Sequence, residues 1–203
     1  MFRAYSIRLL ICILFISCGT HRQDPASPSQ NANAREEDVT LFPITQYFLG
    51  QLRELDSLPV TPLLISETEG KKDSSWLRKG QLRQHAAPFL HPVIDSGEAA
   101  EYFSKSSFMD QTINSVTFSY DVIKSLPGGE NLKQCIVYVD PDKNNVQRIY
   151  MTKRSPIPQG TLDSQLTWEA GKYFTIRTIH EIPGKPNVIS EKIVKWDFDE
   201  DSE

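Results

Sequence analysis

Apolar residues change their spacing several times along this chain. Leu9 to Ile16 is an unbroken apolar run of eight residues. Gly19 to Asp38 then contains no large apolar residue and is rich in Ser, Pro, Asn, Gln and charge. Such a stretch cannot bury enough surface to offset its ordering entropy, so it reads as a flexible linker. Beyond it the spacing becomes helical: Ile44, Phe48, Leu52 and Leu55 fall on one face. Thr40 can cap that helix and Pro43 suits its first turn. The pattern predicts a helix over 43–57, weakened at Gly50 by about 1 kcal/mol relative to Ala.

Pro59 and Pro62 forbid its continuation. Leu63-Leu64-Ile65 reads as a short strand and Glu69-Gly70 as a turn. The segment 73–77 fits a second strand or a helix entry equally well. A short helix is expected over 79–87, stopped by Pro88, and another over 97–104, capped by Ser96, with Ala99, Ala100 and Phe103 facing the core. After Met109 the period drops to two. Val116, Phe118, Tyr120 and Val122 alternate with Thr117, Ser119 and Asp121, the mark of a half-buried strand. Five further strands follow, over 132–139, 146–153, 162–168, 172–182 and 188–196. Turns rich in Pro, Gly, Asn and Asp punctuate them. The expectation is an α+β domain over 39–198: an antiparallel meander of about six strands with N-terminal helices packed on one face. A small β-barrel with flanking helices is the alternative. No fixed internal period points to a solenoid.

The first apolar run has a second meaning. Arg3 and Arg8 form a short basic region before it, and a spanning helix needs about 20 apolar residues, so the run fits a secretory signal peptide. At its end stands Phe15-Ile16-Ser17-Cys18-Gly19. This resembles the lipobox of bacterial lipoproteins. The resemblance implies that residues 1–17 are removed, that Cys18 carries a diacylglycerol and that the new amino group is acylated. It places the protein on a membrane of a bacterial cell envelope, the outer membrane first, with the domain in the periplasm or at the cell surface. Two or more acyl chains make such anchoring stable. The implied organisation is a signal over 1–17, a lipidated cysteine and linker over 18–38, the domain over 39–198 and an acidic tail over 199–203.

Composition narrows the function further. The 203 residues carry 22 basic and 26 acidic side chains, a net charge of -4. Loss of Arg3 and Arg8 with the signal would take it to -6. An acid excess disfavours non-specific nucleic-acid binding, so no nucleic-acid partner is expected. Of three cysteines, Cys12 leaves with the signal and Cys18 is lipidated, so Cys135 stands alone in a strand-like run as a buried hydrophobe.

No motif commits the chain to catalysis. Asp140-Pro-Asp142-Lys-Asn144 begins like a calcium loop, but Asn145 and Met151 stand where an EF-hand needs Gly and Glu, so a hairpin turn is expected. His85 and His91 are six apart with Pro88 between them, which is not metal-ligand spacing. There is no nucleophile elbow and no phosphate loop, and neither metal nor cofactor is expected. The positive signal is aromatic: Tyr120, Tyr138, Tyr150, Trp168, Tyr173 and Trp196 all fall on expected strands. Rings on an open sheet face can bind a sugar, a peptide or an acyl chain. The expected function is a non-enzymatic binding or scaffold module. It is held to the membrane by its lipid and contacts a protein or envelope component of unknown identity. Carriage of an apolar ligand in a sheet or barrel cavity is the first alternative and an envelope hydrolase the second.

Overall fold

In the computed structural model the described residues are 41–78, 80–95, 97–127 and 131–198. The expected signal, Cys18, the linker to 38 and the tail over 199–203 lie outside them.

The four apolar residues at helical spacing, with Thr45, are the buried side of α1 (Ile44–Ser57). Its free N–H groups find partners across the chain. The Gln46 N–H donates to Asp95 Oδ1 at 3.2 Å, and the Thr45 N–H to the Ile94 carbonyl at 3.3 Å. Thr45 Oγ1 accepts the Ile94 N–H at 2.7 Å, which is why a threonine is buried there. Pro43 precedes the helix and supplies no side-chain cap, so the loop at 94–95 does that work. A second helix, α2 (Gln81–Ala86), is less than two turns long.

The rest is sheet. The strands are β1 (Leu63–Thr68), β2 (Lys71–Trp76), β3 (Phe103–Asp110), β4 (Ser115–Val122) and β5 (Leu132–Asp140). They continue with β6 (Asn145–Ile157), β7 (Gly160–Glu169), β8 (Tyr173–Glu181) and β9 (Val188–Lys195). All nine form one antiparallel sheet in the order β2-β1-β9-β8-β7-β6-β5-β4-β3. From β3 to β9 each strand pairs with the next, and the β1–β2 hairpin closes against β9.

This corrects the expected fold class. The domain is mostly β, a single nine-stranded sheet with two short helices, rather than an α+β six-stranded meander with helices packed on one face. It is not the alternative barrel either, because β2 and β3 are edges that do not pair with each other. Two causes explain the miscount. β3 is an edge strand on which only Phe103 is buried, so its sequence FSKSSFMD shows no period of two. The helix expected over 97–104 is a 3-10 turn at Glu98–Tyr102 that ends where β3 begins. β2 is exposed along its whole length, which hid its character in the same way.

Register places the core. The row Phe118, Val137, Ile149, Trp168, Phe174, Val194 and Leu64 crosses seven adjacent strands on one face. Beside it run Tyr120, Cys135, Met151, Leu166 and Ile176. Phe48 of α1 and Phe89 meet this face at Trp168, with ring centroids 5.2 and 5.4 Å away. Cys135 is fully buried, and burial pushes its thiol pKa well up, so it behaves as a small apolar side chain. The 140–145 segment is the β5–β6 hairpin. Asp140 Oδ1 accepts the N–H groups of Asp142 and Lys143, and Asn144 takes the left-handed conformation.

Candidate functional site

The sheet divides the six strand aromatics into two sets by face. Tyr120 and Trp168 lie in the core rows, and Trp196, just past β9, is buried beside them. The Tyr120 hydroxyl accepts the Phe42 N–H at 3.3 Å, and burial raises its pKa. Trp168 is ringed by Phe48, Phe89, Phe174 and Trp196, all with centroids within 5.6 Å. Its indole N–H has no hydrogen-bond partner among the described residues, and the planes of the Phe89 ring and the indole stand at 82°. These three aromatics are filled core and offer no ligand surface.

Tyr138, Tyr150 and Tyr173 point the other way. The outer face carries a cross-strand row that reads Phe108, Thr117, Tyr138, Arg148, Glu169, Tyr173, Lys195, Leu63 and Trp76 from one edge to the other. Tyr150 sits in the adjacent row, between Ile136 and Thr167. All three tyrosines are half-buried, and the row ends in two exposed rings, Phe108 at 56% and Trp76 at 61%. Arg148 organises the centre. Its Nε donates to Glu169 Oε2 at 2.6 Å, and its guanidinium lies 5.8 Å from the Tyr138 ring centre. The hydrogen bond that Arg148 donates to Glu169 raises the Arg148 pKa above its ordinary value against the lowering effect of burial, with smaller contributions from the Glu169 charge, Tyr173 and Tyr138. Burial raises the Tyr150 pKa, so its hydroxyl stays protonated and can donate. Flat rings, a fixed guanidinium and phenol donors can stack on and hydrogen-bond a partner. They supply no activated nucleophile.

Arg148 and Glu169 were absent from the sequence expectation. Both are ordinary charged strand residues until register puts them between two tyrosines. A second cluster was missed altogether. On the core face, beyond the aromatic rows, one row reads Lys71, Thr68, Ser190, Thr178, Ser164 and Lys153 across six adjacent strands. Each of the four hydroxyl residues stands four positions from a residue of the core row: Leu64, Val194, Phe174 and Trp168. Thr178 Oγ1 and Ser190 Oγ are hydrogen-bonded at 2.6 Å.

Carboxylates separate by face, whereas cations stand on both, with Lys72, Arg148, Arg154, Arg177 and Lys195 on the outer one. Among the described strand residues the core face carries Lys71, Lys105, Lys153 and Lys192 and a single carboxylate, Asp73. The other strand carboxylates, Glu67, Asp121, Asp163, Glu169, Glu181 and Glu191 among them, lie on the outer face.

No known family model matches this chain, and no curated protein sequence or solved structure is significantly similar to it.

Proposed function

We propose that this protein is a lipid-anchored binding module of a bacterial cell envelope, and that the outer sheet face around Tyr138, Tyr150 and Tyr173 is its contact surface. The observation that carries the reading is the Tyr138, Arg148, Glu169, Tyr173 row. It holds half-buried rings around an ion pair on a face that neither α1 nor α2 covers. Tyrosine and arginine are, with tryptophan, enriched among the residues that carry most of the energy at the centre of binding surfaces. Rings from α1 and the 87–90 segment occupy the opposite face at Trp168 and Phe174, which favours surface binding over carriage of an apolar ligand there.

Anchoring is the other half of the mechanism. A lipid at Cys18 and a spacer of about twenty residues would restrict the domain to the membrane surface and raise its effective concentration near partners there.

The test has two arms. Cys18→Ala is expected to move the protein from the membrane fraction to the soluble one; an unchanged distribution, or mass spectrometry of an unmodified cysteine, overturns the anchor. A photo-crosslinking residue at position 138 or 173 is expected to give, in intact cells, a discrete adduct that Arg148→Ala weakens. The same residue at position 72, on the edge strand, is expected to give none. Equal adducts at all three positions overturn the assignment of the surface.

A further inference from the structure

We propose that the uncovered end of the core face binds an acidic oligosaccharide along the Thr68, Ser190, Thr178, Ser164 row. This site is separate from the outer tyrosine surface, and its test does not depend on that surface.

The residues argue for it in three steps. First, a core face should be apolar, and two rows away it is. The four hydroxyl residues are two side chains further along the same strands, about 13 Å from the Trp168–Phe174 row at strand rise. They occupy four adjacent strands spaced about 4.8 Å apart, so the row spans roughly 14 Å, with its two central hydroxyls, Thr178 and Ser190, paired at 2.6 Å. That is a line rather than a point. It is longer than one phosphate and comparable with several consecutive pyranose units, whose hydroxyls both donate and accept as these do.

Second, the line is flanked by cations. Lys71 and Lys153 close its two ends, and Lys192 stands in the adjoining row between Ile176 and Ser66. Lys153 also holds the Pro88 and His91 carbonyls, so its ammonium is fixed at the border between the covered and uncovered face. His85 of α2 lies close enough to Lys192 to feel its charge. Asp73, beside Ser66, is the only strand carboxylate on this face among the described residues. In a chain of net charge -4, such a local excess of positive charge suits a ligand that carries carboxylates.

Third, the neighbouring row on the far side is Leu162, His180 and Val188. Neither flank offers the series of aromatic platforms on which single-stranded nucleic acid stacks its bases. The aliphatic groups suit the apolar faces of sugar rings.

The experiment is calorimetric titration of the purified full chain with a short oligogalacturonate, a neutral maltooligosaccharide of the same length and inorganic phosphate. Saturable binding of the oligogalacturonate is expected, weakening as salt is added, with neither neutral sugar nor phosphate matching it. Lys192→Gln and Thr178→Val are each expected to weaken binding about tenfold, while Arg53→Gln on the exposed side of α1 leaves it unchanged. Melting curves show whether each variant is folded. If Thr178→Val does not fold, Lys192→Gln and amide shifts at Ser164, Thr178 and Ser190 decide. No binding, equal binding of the neutral sugar, full competition by phosphate, or wild-type affinity in the folded variants overturns the proposal.

Discussion

Trp168 stacks on Phe174, its cross-strand partner, with ring centroids 5.2 Å apart and planes 17° from parallel. Phe89 and Phe48 stand at steeper angles against this pair, so side chains from the sheet, α1 and the 87–90 segment meet at one point. Phe174→Ala opens a cavity there. It is expected to cost about 3–5 kcal/mol, with Phe174→Leu costing less because part of the volume remains. Urea unfolding of the two variants measures this. A small loss for Phe174→Ala would mean that the ring cluster is not where the domain is held together.

Lys153 ties the irregular 88–91 segment to the sheet. It is a core-face residue whose ammonium donates to the carbonyls of Pro88 and His91. Lys153→Met keeps the length and loses the donors, leaving two carbonyls to find water. The expected cost is about 1–3 kcal/mol, from hydrogen bonds to a charged group. Amide exchange should speed up at Phe89 and Leu90 more than in β7 or β8. Uniform protection across both regions would contradict this.

Gly160 begins β7 where the backbone of Glu181 passes close by. A Cβ at Gly160 would lie 1.9 Å from the Glu181 carbonyl oxygen, and backbone on both sides leaves no flexible group to give way. Gly160→Ala is therefore expected to push the β6–β7 turn off the end of β8, costing about 1–3 kcal/mol as overpacking does. A thermal melt compares it with Gly50→Ala. Position 50 is open and helical, so alanine there is expected to stabilise by about 0.5–1 kcal/mol.

Alkaline pH should unfold the domain through its phenols. Burial, with help from Glu54, pushes Tyr47 up to about 12, and burial also raises Tyr120 and Tyr150. In the unfolded chain these groups ionise near 10.0. Stability from their neutral forms is thus complete below pH 10 and is lost as pH rises toward 12. Urea midpoints across that range should fall, and Tyr47→Phe should flatten the fall. His85 acts at the other end with the opposite sign. Its pKa is lowered by burial and then by Lys192, so its contribution is present above 6.5 and fades as pH falls below that value. His85 is partly exposed, so this contribution is the smaller one.

Much of the local structure was legible in the sequence. Helical spacing of Ile44, Phe48, Leu52 and Leu55 marked α1. Period-two alternation and turn residues marked the six strands β4 to β9. Of the aromatic set, Tyr138, Tyr150 and Tyr173 come together on one face, while Tyr120, Trp168 and Trp196 went to the core. Tyr120 stands between polar Ser119 and Asp121, whereas Tyr138 lies between Val137 and Val139 in an apolar run that by itself marks neither face. The face a strand residue takes depends on which strand lies beside it and in what register.

The sequence by itself determined where the chain turns, where it can be helical, which runs can be strands and that its first forty residues lack the apolar spacing of a domain. Only the tertiary structure decided that Leu63 pairs with Lys195, that β3 extends the sheet and that the sheet stays open. It also decided that Arg148 lies between Tyr138 and Tyr173, and that Thr68, Ser190, Thr178 and Ser164 form one line. The reason is physical. Periodicity records which side of its own strand a residue occupies, whereas backbone hydrogen bonding between distant segments sets strand order and register. An exposed edge or a polar row on a core face leaves no alternation to read.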